Sequence, residues 1–158
     1  METVAVFAEN PIRVYELALR EGLVLVEARC PADNPAGAAA LALADPPLEI
    51  AFYTARWDAE GSFFSVCLPE ELLPRFSRLA RQGGLAVQSA RPASLIHLQG
   101  PHFGDRYGIA SAALEGLARA GVEPLAVQGA VHSLFVAADP PDADRARDGL
   151  SAYFCAPE

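Results

Sequence analysis

The sequence predicts an α+β fold made from two copies of one small unit, and three observations carry that prediction. Cys30-Pro-Ala-Asp-Asn-Pro-Ala-Gly37 aligns with Pro101-His-Phe-Gly-Asp-Arg-Tyr-Gly108 at a single offset. The same offset places Leu25 on Ile96, Ser62 on Ser133, Phe64 on Phe135, Pro69 on Pro140 and Leu79 on Leu150. Within each copy, short β-rich runs alternate with helical stripes. A repeat of about 70 residues is too long for a solenoid and suits a small domain.

In the second copy, Ser94 to Gln99 is short and mostly apolar and reads as a strand entering a glycine-containing turn. A helix follows from Ile109 to Ala120, with Ala110, Ala113, Leu114, Leu117 and Ala118 as its inward stripe and Gly121 as its stop. Val122 to Gln128 and Val131 to Ala138 form a hairpin split at Gly129-Ala130. Asp139 caps a last helix whose first turn takes Pro140 and Pro141, and whose inner face is Ala143, Ala146, Leu150 and Tyr153.

The first copy has the same order. Leu23 to Arg29 is a strand, Pro35 to Ala44 a helix, Leu48 to Arg56 and Ser62 to Leu68 a hairpin, and Glu70 to Gln82 a helix whose start Pro74 delays or kinks. A further strand, Leu85 to Ala90, completes β-α-β-β-α-β, the ferredoxin-like arrangement of a four-stranded antiparallel sheet with two helices on one face. The second copy lacks that closing strand, while Thr3 to Ala8 is an unassigned apolar run at the other end of the chain. The expectation is that this N-terminal strand completes the second module. That gives modules at 23–91 and at 92–158 with 1–8, joined by a connecting segment at 9–22. Asn10, Pro11 and Gly22 favour a helix in that segment, Ile12, Val14 and Tyr15 a strand, and the balance leans to helix.

Composition narrows the partners. The 158 residues carry a formal charge of −8, and all of the basic residues are arginine. No basic cluster is present to neutralise phosphates, so neither nucleic acid nor an anionic membrane surface is expected as a partner. The absence of lysine removes Schiff-base and Walker-type phosphate chemistry. Apolar residues make up 52% of the chain, rich for two small modules, which points to burial between subunits and a homodimer. Met1 to Glu9 has no basic n-region and the apolar runs are far shorter than a membrane span, so a cytoplasmic protein is expected. Cys30, Cys67 and Cys155 have neither pairing parity nor zinc spacing, so no metal, disulfide or cofactor is expected.

In both copies the first strand enters a loop with an aspartate and a glycine, Asp33-Asn-Pro-Ala-Gly37 and Asp105-Arg-Tyr-Gly108, and a helix follows directly. Free N–H groups and the helix dipole make such a start an anion site, and glycine lets a carboxylate approach. An amino acid fits: its carboxylate on the helix start, its ammonium on an acceptor such as Asp33, Asp105, Glu123 or Gln128. Each aspartate also suits a plain turn or helix cap.

These features resemble the ACT domain, a regulatory module that binds amino acids, and more closely the paired ACT domains at the C-terminus of aspartokinases. Gly121 to Val136 resembles their second and third strands, and Leu72 to Gln82 with Gly84 to Arg91 resembles the end of their first ACT domain. The resemblance spans Leu23 to Phe154 and implies an N-terminal strand closing the second domain around an inserted first. It also implies an effector against the first loop and helix start, near a subunit interface. Carried over, it marks Asp105, Arg106, Tyr107, Gly108 and Ile109 with Glu123 and Gln128, and in the other copy Asp33, Asn34, Pro35, Ala36 and Gly37. The first copy inserts Ala36 before its glycine and has Glu49, Ala51 and Ala55 where aspartokinases carry polar residues, so the second copy ranks first. No kinase domain fits in the chain. The implied protein is a regulatory module, not an enzyme, acting on an unidentified enzyme.

Two rivals remain at this level. One is a ligand-free structural dimerisation module. The other is a small acylphosphatase-like hydrolase, suggested by Val127-Gln128-Gly129-Ala130-Val131, but Ser133 and Leu134 stand where that family has its arginine. His97, His102 and His132 form no triad or metal spacing with their neighbours and read as ordinary core or surface residues.

Overall fold

The computed structural model describes residues 11–31, 47–59, 61–101, 103–104 and 106–157. In chain order these form β1 (Ile12–Arg13), β2 (Glu16–Pro31), β3 (Phe52–Asp58), β4 (Gly61–Pro69), α1 (Leu73–Gln82), β5 (Ala86–Gln99), α2 (Ile109–Arg119), β6 (Ala126–Gly129), β7 (Ser133–Ala138), α3 (Ala143–Ser151) and β8 (Phe154–Cys155). Short 3-10 turns, Glu70–Leu72 and Pro140–Asp142, lead into α1 and α3. The fold is mixed α and β. None of these helices is long and apolar enough to cross a membrane.

The chain divides into two compact units, Glu21–Ser94 and Met1–Arg20 with Leu95–Glu158. In the first, the strands lie in the order β3-β4-β2-β5. β2 and β4 run antiparallel from Leu23↔Pro69 to Pro31↔Gly61, and β4 pairs with β3 from Phe52↔Cys67 to Asp58↔Gly61. Alternation sends Val24, Val26, Ala28 and Cys30 of β2, with Val66 and Leu68 of β4, to one face, where Phe76 and Ala80 of α1 complete the core. Pro74 occupies the first turn of α1, where a missing N–H costs nothing. On the other face Arg29 and Arg56 stand over the Phe63 ring at 4.6 and 4.7 Å.

The second unit has the order β2-β5-β7-β6. Ile96 and Leu98 of β5, Leu134 and Val136 of β7, Ile109, Ala113 and Leu117 of α2, and Ala146 and Leu150 of α3 share one core. α2 and α3 touch at Gly116 and Gly149: a Cβ on either would lie 2.6 Å from the other's carbonyl oxygen. β8 pairs in parallel with β1, Ile12↔Phe154 and Arg13↔Cys155.

Several expectations are corrected. Segment 9–22 is strand, not a connecting helix, wherever it is described: Ile12–Arg13 is β1, and β2 begins at Glu16. Leu17 and Leu19 alternate onto the core, a period of two that the helix reading overlooked. Gly22 (φ +70°) lies inside β2 rather than after a helix. The position that closes the second unit's sheet beside β5 is held by Glu16–Arg20; Thr3 to Ala8, expected there, lie outside the described residues, as does the expected helix Pro35 to Ala44. Leu85 to Ala90 and Ser94 to Gln99 are not two strands but parts of the single strand β5.

Ala113 and Leu117 of the expected α2 stripe are buried, but Ala110, Leu114 and Ala118 face outward and Ile109 and Gly116 complete the buried face instead. The close contact with Gly149 sets this rotation, because only the Gly116 side lets the two helices approach. The hairpin turn is also longer than the expected Gly129-Ala130. Ala130 N–H donates to Ser133 O (2.7 Å), so Ala130 to Ser133 make the turn.

Candidate functional site

In the second unit, the chain leaving β5 passes along the β6–β7 turn before entering α2. Backbone bonds fasten the two: Gly100 N–H donates to His132 O (3.0 Å) and Gly104 N–H to Val131 O (2.8 Å). Gly108 then takes φ +89° at the N-cap position of α2, a left-handed conformation that costs a residue with a Cβ roughly 1–2 kcal/mol. Among the described residues no side chain caps the helix there, and its first turn holds no acidic residue. The first bond of the helix is Ala112 N–H to Gly108 O (2.8 Å), so the N–H groups before Ala112 are left for other acceptors.

A cleft of about 260 Å³ opens at this point. Its walls are Arg106, Tyr107, Gly108, Ile109 and Ala110 on one side and Gly129, Ala130, Ser133 and Leu134 on the other, with Phe103 beside them. Phe103, Ile109 and Leu134 are buried and give the cleft an apolar floor; Tyr107 is 94% exposed at its rim. Its small size suits a ligand below drug size.

Of the residues singled out in the sequence, the structure brings Arg106, Tyr107, Gly108 and Ile109 together at this cleft. Glu123 is exposed and lines no part of it. Gln128 is opposite Phe135 in the β6–β7 register. Since Leu134 and Val136 point to the helices, alternation puts Phe135 and Gln128 on the other face of the sheet, away from the start of α2. Asp105, and Asp33, Asn34, Pro35, Ala36 and Gly37 of the first copy, lie outside the described residues. Sequence reasoning missed Phe103, Ala130, Ser133 and Leu134. Phe103 and Ser133 stood within the repeat, but nothing local tied the turn to the loop.

On the face shared with Gln128, His97 Nε2 lies 2.9 Å from Ser133 Oγ and its ring stacks on Phe135 at 4.5 Å between centroids. These contacts give His97 a structural place in the sheet. His132 is exposed, and His102 lies outside the described residues. Among the described residues no three His, Cys, Asp or Glu side chains gather as a metal site would require.

No family model and no curated protein matches the sequence. Solved structures do match. The ligand-free regulatory subunit of aspartate kinase from Thermus thermophilus aligns with a TM-score of 0.74 at 14% identity, over 90% of this chain and 99% of its own. The aspartate kinase from Synechocystis gives 0.76 at 17% identity, over 92% of this chain and 28% of the kinase. Aspartokinase III from E. coli, in complex with lysine and aspartate, gives 0.58 at 17% identity over 92% of this chain and 34% of its own. What these structures share with the chain is the fold. More particularly, the chain has the fold of aspartokinase regulatory regions, over nearly its whole length.

Proposed function

We propose that this chain is a pair of ferredoxin-like ACT modules that binds a small carboxylate, an amino acid foremost, and transmits the binding to an enzyme partner. It is itself non-catalytic, homodimeric and cytoplasmic in this reading. The observation that supports it best is the cleft at the start of α2, where first-turn N–H groups with no partner among the described residues adjoin an apolar floor. The carboxylate rests on the first turn beside Gly108, and an aliphatic side chain covers Phe103, Ile109 and Leu134. Asp105, and separately Asp33 to Gly37 of the other copy, are the further ligand-binding residues of this proposal. The E. coli structure is a complex with lysine and aspartate, which makes both early candidates to try.

A thermal-shift screen against the twenty amino acids tests the reading. Binding stabilises the fold by RT ln(1 + [L]/Kd), about 2.7 kcal/mol at a hundredfold excess over Kd. Gly108→Val forces a side chain into the left-handed region and is expected to abolish the shift while leaving the dimer intact. Undiminished affinity in that variant moves the site elsewhere.

A ligand-free dimerisation module is the second reading. Strand β6 favours it: among the described strands it lies at the end of the order and carries no charge or proline to discourage pairing, and Val131 next to it is 67% exposed. Silence across the screen from an ordered dimer would select this reading.

A further inference from the structure

We propose that the cleft is coupled to the pairing of β1 with β8 through Phe103 and Phe154, so that its occupancy is read at that short parallel pairing. The proposal rests on the cleft being a ligand site and adds the route by which binding leaves it.

Phe103 has two roles in the geometry. It lines the cleft, and its ring is tilted at 53° to that of Phe154 with centroids 6.4 Å apart, within the range of a favourable aromatic pair. Phe154 is fully buried and is half of the two-residue strand β8. Around it the backbone is fastened by Ile12 N–H to Tyr153 O (2.7 Å) and Val14 N–H to Cys155 O (2.9 Å). A pairing of two residues holds little by itself. It persists because Phe154 is anchored in the core, and one wall of that anchor is Phe103.

Close-packed interiors transmit such shifts instead of absorbing them. A ligand that seats against Phe103 therefore biases the position of Phe154, and with it the hydrogen bonds of Ile12 and Val14. The coupling is reciprocal: whatever loosens the pairing must weaken binding by the same factor.

Amide hydrogen exchange on the full chain tests this in two arms. In the first, Phe103→Leu, with Phe103→Met should the leucine variant not fold, is expected to speed exchange at Ile12 and Val14 about tenfold. Exchange at Leu117 in α2 and Leu150 in α3 should stay unchanged. A uniform rise at all four amides, or no rise at Ile12 and Val14, overturns the coupling. In the second arm L-lysine, L-threonine and L-isoleucine are added singly at saturation. A probe that shifts the Gly108 and Ala110 amides should slow exchange at Ile12 and Val14, and Ile12→Pro should weaken that probe by the factor of the slowing. A probe that binds at Gly108 and leaves both amides unaltered overturns the proposal. If none of the three binds, the twenty-amino-acid screen decides the reading of the cleft, while the Phe103 arm decides the coupling.

Discussion

The starts of α2 and α3, two helices of the same unit, are completed in opposite ways. The 3-10 turn before α3 supplies Asp142, paired with Arg145, and the first turn of α3 supplies Asp144, which Arg147 reaches at 3.0 Å. Negative charge from the chain itself thus sits on the positive end of that helix dipole. At α2 the first turn holds no acidic residue and a glycine opens the backbone to a cleft, while neither helix has a side-chain cap bond among the described residues. A helix start that the chain leaves without negative charge is open to an anionic ligand, whereas one supplied with carboxylates is not. The motif alone does not distinguish the two cases.

The largest effect is expected where the two helices touch. Gly116→Val drives a side chain into the Gly149 carbonyl and should lower stability by about 3 kcal/mol in a urea titration. A midpoint unchanged from the parent would mean that α2 and α3 can separate freely. Next, Gly108→Ala should cost roughly 1–2 kcal/mol, since the φ of +89° is unfavourable for alanine although an added Cβ would meet nothing within 4 Å. Loss of stability without that strain would have to come from a contact the structure does not contain.

A third variant makes α2 resemble α3. Ala110→Asp places a carboxylate on the first turn and should raise stability by about 0.3–1 kcal/mol while eliminating any amino-acid-induced thermal shift. If stability rises and the shift survives, the helix start is not where the carboxylate binds. The smallest effect is the converse change: Asp144→Asn removes one carboxylate from α3, and because that side chain is mostly exposed the loss should be at most about 1 kcal/mol. High salt should shrink the difference further, which thermal melts at two ionic strengths would detect.

Much of the second unit was legible from residue pattern. The limits of α2 followed from Gly108 and Gly121 flanking an alanine-rich run, and α3 from Pro140-Pro141 opening a stripe at Ala143, Ala146 and Leu150. What could not be read locally was set by contacts distant in sequence. The rotation of α2 depends on Gly149, thirty-odd residues beyond it in the chain by helix spacing alone unconnected to it. The face of Gln128 depends on which of its neighbours across β7 point to the core. Segment 9–22 had turn signals strong enough to mask a strand whose partner, β5, lies far along the chain. At the cleft, Arg106 to Ile109 were recognisable from loop chemistry, whereas Phe103 and Leu134 became its floor only through the packing of the loop on the hairpin.

The division of β2 has a consequence in time. Residues 21–94 form one uninterrupted stretch that contains every strand of its own unit, so that unit can close as soon as it has been synthesised. Glu16–Arg20, made earlier, belong to the other unit and have no finished sheet to join until β5 is complete and the C-terminal hairpin and helices have followed. Among the described strands, one of the first to leave the ribosome is thus among the last to find its place.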